Sequence, residues 1–179
     1  MAIIDSRGLV DDGSPNLNVV GSTTLTNLNV AGAITSSAGS FGIMSTAAAF
    51  SGGINLGSPG TFSLVQWQTG SAISAGVTPV SGTTLGVNQQ GWYYTSTTLS
   101  FSGSAGVYTA SLFVNGIKHA NCQRQATISN GQSYPTGMAM VDLNYYSAGD
   151  QLDIRVSSNN GGANFQLGNG NFIIVRVTG

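Results

Sequence analysis

His119 is the only histidine in 179 residues, and Cys122, three positions on, is the only cysteine. Any nucleophile activated by an imidazole must therefore use this one ring. Successive side chains of a strand alternate between its faces, so residues three apart point opposite ways and the two are not expected to meet. His119 follows Lys118 just past a turn signal and reads as an exposed loop or strand histidine. Cys122 reads as a small buried or half-exposed residue, and one thiol supports neither a disulfide framework nor a thiolate metal cluster. Carboxylates are as sparse. There is no glutamate, and beyond Asp12 only Asp142, Asp150 and Asp153 remain. Glycosidase chemistry needs two carboxyl groups roughly 5 to 10 Å apart across a cleft. Asp150 follows Gly149 and reads as a turn residue that bonds neighbouring amides. Asp153, on the same strand face as Arg155, reads as half of a surface ion pair. No phosphate-binding loop, dinucleotide fingerprint or zinc spacing occurs. The sequence thus predicts no catalytic residue, no metal and no cofactor.

The aromatic residues are a second candidate for chemistry, since their faces stack on sugars. Alternation in "GWYYTSTTLSF" (91–101) sends Trp92 and Tyr94 one way and Tyr93 the other. Trp92 and Tyr94 are assigned to the core and trimer axis. Tyr145 and Tyr146, just ahead of a turn, are assigned to an exposed ligand surface.

The elements that must position these residues are strands. Charged residues make up 6% of the chain, against a usual level of roughly 25%. Residues 13 to 117 carry no charge at all. Twenty-six glycines and few strong helix formers oppose a helical protein, while alternating Val, Ile, Leu, Phe and Tyr oppose disorder. The net charge of −1, without a basic patch, disfavours nucleic acid as a partner. No apolar run is long enough for a bilayer span or a signal peptide, so synthesis in the cytoplasm and no membrane partner are expected.

Three regions are expected. Residues 1–15 form an arm in which Ile3, Ile4, Leu9 and Val10 alternate with Asp5, Arg7, Asp11 and Asp12, the last two entering the breaker Asp11-Asp12-Gly13-Ser14-Pro15. In residues 16–61, Leu17-Asn18-Val19-Val20-Gly21 returns as Leu28-Asn29-Val30-Ala31-Gly32. Its apolar residues recur at strand spacing. A strand or hairpin of this kind is marginal alone, and too few repeats are present to stack within one chain. Three chains wound together would cover Leu17, Val19, Leu25, Leu28, Val30 and Ile34. Residues 62–179 read as a compact all-β head, with strands expected at 62–68, 77–87, 91–102, 106–114, 117–128, 136–144, 150–157, 163–168 and 171–178. Turn signals separate them, the strongest being Asn115-Gly116. "NFIIVRVTG" is so apolar that both its faces are expected to be covered.

Four stretches, "GWYYTSTTLSF", "LFVNG" (112–116), "MVDLNYYSAGDQLDIRV" (140–156) and "NFIIVRV" (171–177), resemble the trimeric jelly-roll heads of the tumour necrosis factor and complement-type globular superfamily. A Phe-x-Gly at the final strand, typical of that family, is absent, and no acidic cluster matches the calcium sites of some members. The phrases "LNVxG" and "STTLT" separately resemble the short shaft repeats of bacteriophage fibre and spike proteins. Together the resemblances imply an all-β homotrimer with an intertwined N-terminal β shaft and a C-terminal jelly-roll head. They imply a non-enzymatic virion protein: a capsid decoration (cement) protein or short head fibre on the capsid exterior. The arm residues Ile3, Ile4, Asp5, Arg7, Leu9, Val10, Asp11 and Asp12 would grip the major capsid protein as extended segments, and Trp92, Tyr94 and Phe172 would join the shaft residues at the trimer interface. The alternative is a tail-fibre or spike adhesin whose head binds host surface glycans.

Overall fold

The computed structural model describes residues 3–5, 8–10, 40–46, 53–67, 73–130 and 135–178. The chain divides into two units, Met1–Ser36 and Ser37–Gly179. In the first, β1 (Ile3–Asp5) pairs antiparallel with β2 (Gly8–Val10), with Ile3 opposite Val10 and Ile4 opposite Leu9. Both strands fall within the expected arm 1–15. Arg7, Asp11 and Asp12 lie outside the described residues, as do the shaft positions Leu17, Val19, Leu25, Leu28, Val30 and Ile34.

The second unit is a sandwich of two antiparallel sheets. One is built from β3 (Phe41–Thr46), β4 (Ile54–Asn55), β6 (Ile73–Ala75), β9 (Gly91–Gly103), β12 (Thr136–Tyr146) and β14 (Asn164–Thr178). Its order is β12-β9-β14-β3-β6, with β4 beside β14. The other holds β5 (Ser63–Leu64), β7 (Val77–Val80), β8 (Thr84–Val87), β10 (Gly106–Val114), β11 (Ile117–Ile128) and β13 (Gln151–Ser158). Its order is β11-β10-β13-β8-β7, with β5 beside β13. β3 and β4, grouped in the sequence with the repeat, are thus sandwich strands: Phe41–Thr46 pairs with β14 from Val175 back to Gly170.

Local chemistry explains the turns. Asn115 and Gly116 both take positive φ (53° and 78°), as a two-residue hairpin between Val114 and Ile117 requires. Gly76 (φ 65°) lets the chain leave β6 in one sheet and enter β7 in the other. The expected strand 77–87 is two strands, because Ser81 and Gly82 turn there with positive φ. The segments 163–168 and 171–178 are one strand, β14, whose pairing with β9 slips between Leu167 and Asn169.

The core lies between the sheets and is rich in aromatic rings. Phe101 packs against Phe165 at 4.8 Å and edge-on to Tyr108 at 5.2 Å between ring centroids. Buried hydroxyls need partners: Tyr93 donates to Gln89 O (2.7 Å), and Tyr108 to Ser104 O (2.7 Å). Leu152, Ile154 and Val156 point inward from β13 as their alternation predicts. On the opposite face, Arg155 forks onto Asp153 at 2.7 and 3.0 Å. Asp153 is itself buried rather than at the surface.

Candidate functional site

Two regions concentrate unusual chemistry: a polar cluster where β11 faces β12, and the outer face of the β12-β9-β14-β3 sheet.

The cluster arises from an irregularity in β11. Ser111 of β10 stands opposite Gln123 and Phe113 opposite Lys118, so Leu112 alone faces the run 119–122. The extra residues reset the alternation. His119 follows outward Lys118 and Cys122 precedes outward Gln123, so both turn inward. The expectation of opposite faces fails for this reason. His119 is only 20% exposed, not a solvent-facing residue, and its Nδ1 lies 3.7 Å from Asp142 Oδ2. Both atoms are buried and have no hydrogen-bond partner. The Asn144 side chain meets His119 Nε2 at 2.7 Å. Asn144 Oδ1 accepts the Tyr145 backbone N–H at 2.9 Å, which fixes the amide so that its NH2 faces the ring. Nε2 must then be the acceptor, and the proton of the neutral ring sits on Nδ1, toward Asp142.

This arrangement has the carboxylate–imidazole half of a hydrolase triad, but the nitrogen that would act as base is already occupied by Asn144. Cys122 is no substitute nucleophile. Burial, then the Asp142 carboxylate, push its thiol up to about 11, and a thiol rather than a thiolate is unreactive. Burial, followed by the same carboxylate, also raises Tyr146 well above the ordinary phenol range. Asp150 is a turn residue as expected: it accepts from Ser147 N at 2.7 Å and from Asn115 Nδ2 at 2.8 Å. With Asp153 held by Arg155, the three acids serve three separate structures. Among the described residues no group of three His, Cys, Asp or Glu side chains is placed to hold a metal ion.

The outer face is different in kind. Cross-strand pairing builds rows across it. Leu143, Tyr94, Val175 and Phe41 form one; Val141, Ser96, Ile173 and Ile43 form the next. Tyr145 and Trp92 end the face, edge-on at 6.0 Å and 79°. Beyond Val141 the rows turn polar, with Thr98 donating to Asn171 Oδ1 at 3.1 Å. Among the described residues the face holds no Asp, Lys, Arg or His. It does hold most of the large exposed apolar side chains of the unit: Trp92, Tyr94, Val141, Leu143, Tyr145, Val175 and Val177.

Several assignments change here. Trp92 and Tyr94 are 47% and 40% exposed, so neither is core; Tyr93, at 0%, is. Their position on the open face leaves them available to another chain. Phe172 cannot be an interface residue. It is 0% exposed, pairs with inward Thr97 and stacks on Trp67 at 6.3 Å. Tyr146 cannot be a ligand surface. It is 2% exposed, with its ring 6.0 Å from Tyr93, whereas Tyr145 beside it is half exposed. The C-terminal strand, expected to be covered on both faces, leaves Val175 and Val177 open. What sequence reasoning missed is Asn144 and the irregularity of β11. Neither has a motif; only the register across the hairpin reveals them.

No protein-family model matches the chain, and no curated protein matches it. Among solved structures, the crystal structure of murine APRIL at pH 5.0 matches with a TM-score of 0.53 at 11% sequence identity, covering 78% of this chain and 99% of that one. That neighbour is a tumour necrosis factor family jelly roll. At this identity the likeness is one of fold: Ser37–Gly179 is an all-β, TNF-like jelly roll of two antiparallel sheets.

Proposed function

We propose that the chain is a non-enzymatic structural protein of a virion, a homotrimeric capsid decoration (cement) protein or short head fibre. In this reading residues 1–15 hold it to the major capsid protein. The observation that carries it is the uncharged apolar outer face of the β12-β9-β14-β3 sheet. Contiguous exposed apolar surface on a folded domain marks an interaction site. A second and third copy of the same chain are the occupants that its composition favours, because a face without charge has nothing to set against a charged partner. A closed three-fold assembly matches the true and local three-fold positions of an icosahedral shell. Three weak anchors engaged together then gain from effective concentration. The shaft-like repeat and the charges gathered at Asp5, Arg7, Asp11 and Asp12 support the same reading.

The test is decoration of particles. Protein starting at Asn16 should still assemble but no longer bind shells. Particles lacking the protein should withstand heat or osmotic shock less well and adsorb to cells normally. Decoration by the truncated protein would refute the anchoring role of the arm. The exposed Trp92–Tyr145 pair favours a second reading, an adhesin that stacks host glycans on these rings. Loss of host attachment in particles lacking the protein would put that reading first.

A further inference from the structure

The cluster around His119 has a property that neither trimerisation nor decoration uses. Its hydrogen bonds form a chain with one allowed polarity. The Tyr145 N–H donates to Asn144 Oδ1, the Asn144 NH2 donates to His119 Nε2, and the Nδ1 proton faces Asp142 across 3.7 Å. The Asn144–His119 link depends on Nε2 being a bare lone pair.

We propose that His119, Asn144 and Asp142 form a proton-operated latch on the edge strand β12, in which uptake of one proton at His119 Nε2 breaks the Asn144 bridge and frees the Tyr145 amide. The proton comes from solvent and stays on the ring. Nε2–H and the Asn144 NH2 are then two donors 2.7 Å apart, an arrangement that cannot persist. A turn of the Asn144 amide by 180° would offer Oδ1 to the imidazolium, but would place NH2 against the Tyr145 N–H. Whether the amide turns or swings away, the bond to Tyr145 is lost. The imidazolium meanwhile gains a charged partner in Asp142, whose Oδ2 has no other hydrogen bond. The ring is thus drawn to the carboxylate as it abandons the amide.

The strand that is released matters. β12 is the terminal strand of its sheet, and the side chain of Tyr145 leans edge-on against Trp92. Freeing its amide loosens the aromatic end of the outer face. Two other titratable groups near the ring, a thiol and a phenol, keep their protons over the relevant range. Cys122 from β11 and Tyr146 from β12 are both raised by burial and then by Asp142, so neither loses its proton below pH 8. Arg124 lies near the thiol, and Asp150 acts on Tyr146 from the following turn. Histidine is the side chain that ordinarily changes charge between about pH 5 and 8. The latch belongs to a single chain and does not depend on the assembly proposed above.

Full-length, isotope-labelled protein titrated from pH 8 to pH 5 by NMR tests this. At pH 8 the ring nitrogens should report the Nδ1–H tautomer. As the pH falls, the His119 ring, the Asn144 side-chain amide and the Tyr145 backbone amide should shift with one shared midpoint, the Tyr145 proton moving upfield as its hydrogen bond is lost. His119→Gln keeps an acceptor oxygen for Asn144 but takes up no proton, so the Tyr145 response should vanish. Asn144→Ala should hold the Tyr145 amide at its low-pH position at every pH, and covers the case in which His119→Gln fails to fold. The opposite tautomer at pH 8 would overturn the proposal. So would a Tyr145 amide that stays still while His119 titrates, or one that moves equally in His119→Gln. Light scattering on the same samples reports assembly separately: monomers throughout would refute the trimer and leave the latch standing.

Discussion

Leu143→Asp separates the surface of one chain from the surface of an assembly. Leu143 is 57% exposed and lies in the row Leu143–Tyr94–Val175. In a lone chain the new carboxylate points into water, so the change should cost the sandwich less than about 1 kcal/mol, as exposed substitutions usually do. In the proposed trimer the same position is covered. Full burial of a leucine side chain is worth about 1.5–3 kcal/mol, and somewhat over half of that remains to be gained at Leu143, about 1–2 kcal/mol per chain. An uncompensated charge taken out of water adds several kcal/mol more. Together these come to about 5 kcal/mol per subunit, or between 10³- and 10⁴-fold in affinity at 1.4 kcal/mol per decade. Light scattering should therefore find the unaltered protein at three times the 18.2 kDa chain mass and the variant at the single-chain mass, with its β-sheet circular dichroism retained. An unchanged assembled mass would refute the assignment of this face. A monomeric unaltered protein at micromolar concentration would refute the trimer itself.

Two further outcomes test the packing. A Cβ on Gly170 would fall inside van der Waals contact of the Thr98 backbone carbonyl, so Gly170→Ala should destabilise the head by about 1–3 kcal/mol through forced separation of β9 and β14, measured by chemical denaturation. Cys122 has its acid constant raised from 9.0 to about 11. The folded state therefore favours the protonated thiol, and its contribution is complete below pH 9 and lost as pH rises through 11. Denaturation midpoints should fall across that window, and Cys122→Ala should flatten the fall; an identical alkaline profile would show that the thiol is not responsible.

How much of this could be read from the residues follows from how far each signal reaches. Asn115-Gly116 and Gly149-Asp150 act over a few bonds, and both turns stand where they were expected. Alternation within a strand is equally local, which is why the inward Leu152, Ile154 and Val156 were legible. The direction of a whole alternating set is not local. "GWYYT" states that Trp92 and Tyr94 share a face, but which face meets the other sheet depends on β12 and β14 alongside. Trp92 and Tyr94 lie outside the core, and Phe172 inside it, for that reason. The cluster was illegible for a stronger one. His119 and Cys122 come together only because β11 carries extra residues against β10, and no composition or spacing marks that slip.

The path of β14 has a consequence for how the protein comes to exist. One continuous strand completes a sheet whose other members lie far back in the chain: Phe41 waits for Val175, and Trp92 for Thr178. Until β14 arrives, β3 has no partner on that side and β9 presents an open row of amides and carbonyls. Closing such distant pairings gives little return until the last of them forms, which places folding of topologies like this in the millisecond-to-second range. A half-made chain is thus a set of sticky, nearly uncharged ribbons with few charges to keep its copies apart. The hazard falls between synthesis and closure, when a neighbouring copy can lend its own strand to the gap, and crowding of nascent chains would turn the same pairing that completes one molecule into a route to aggregation.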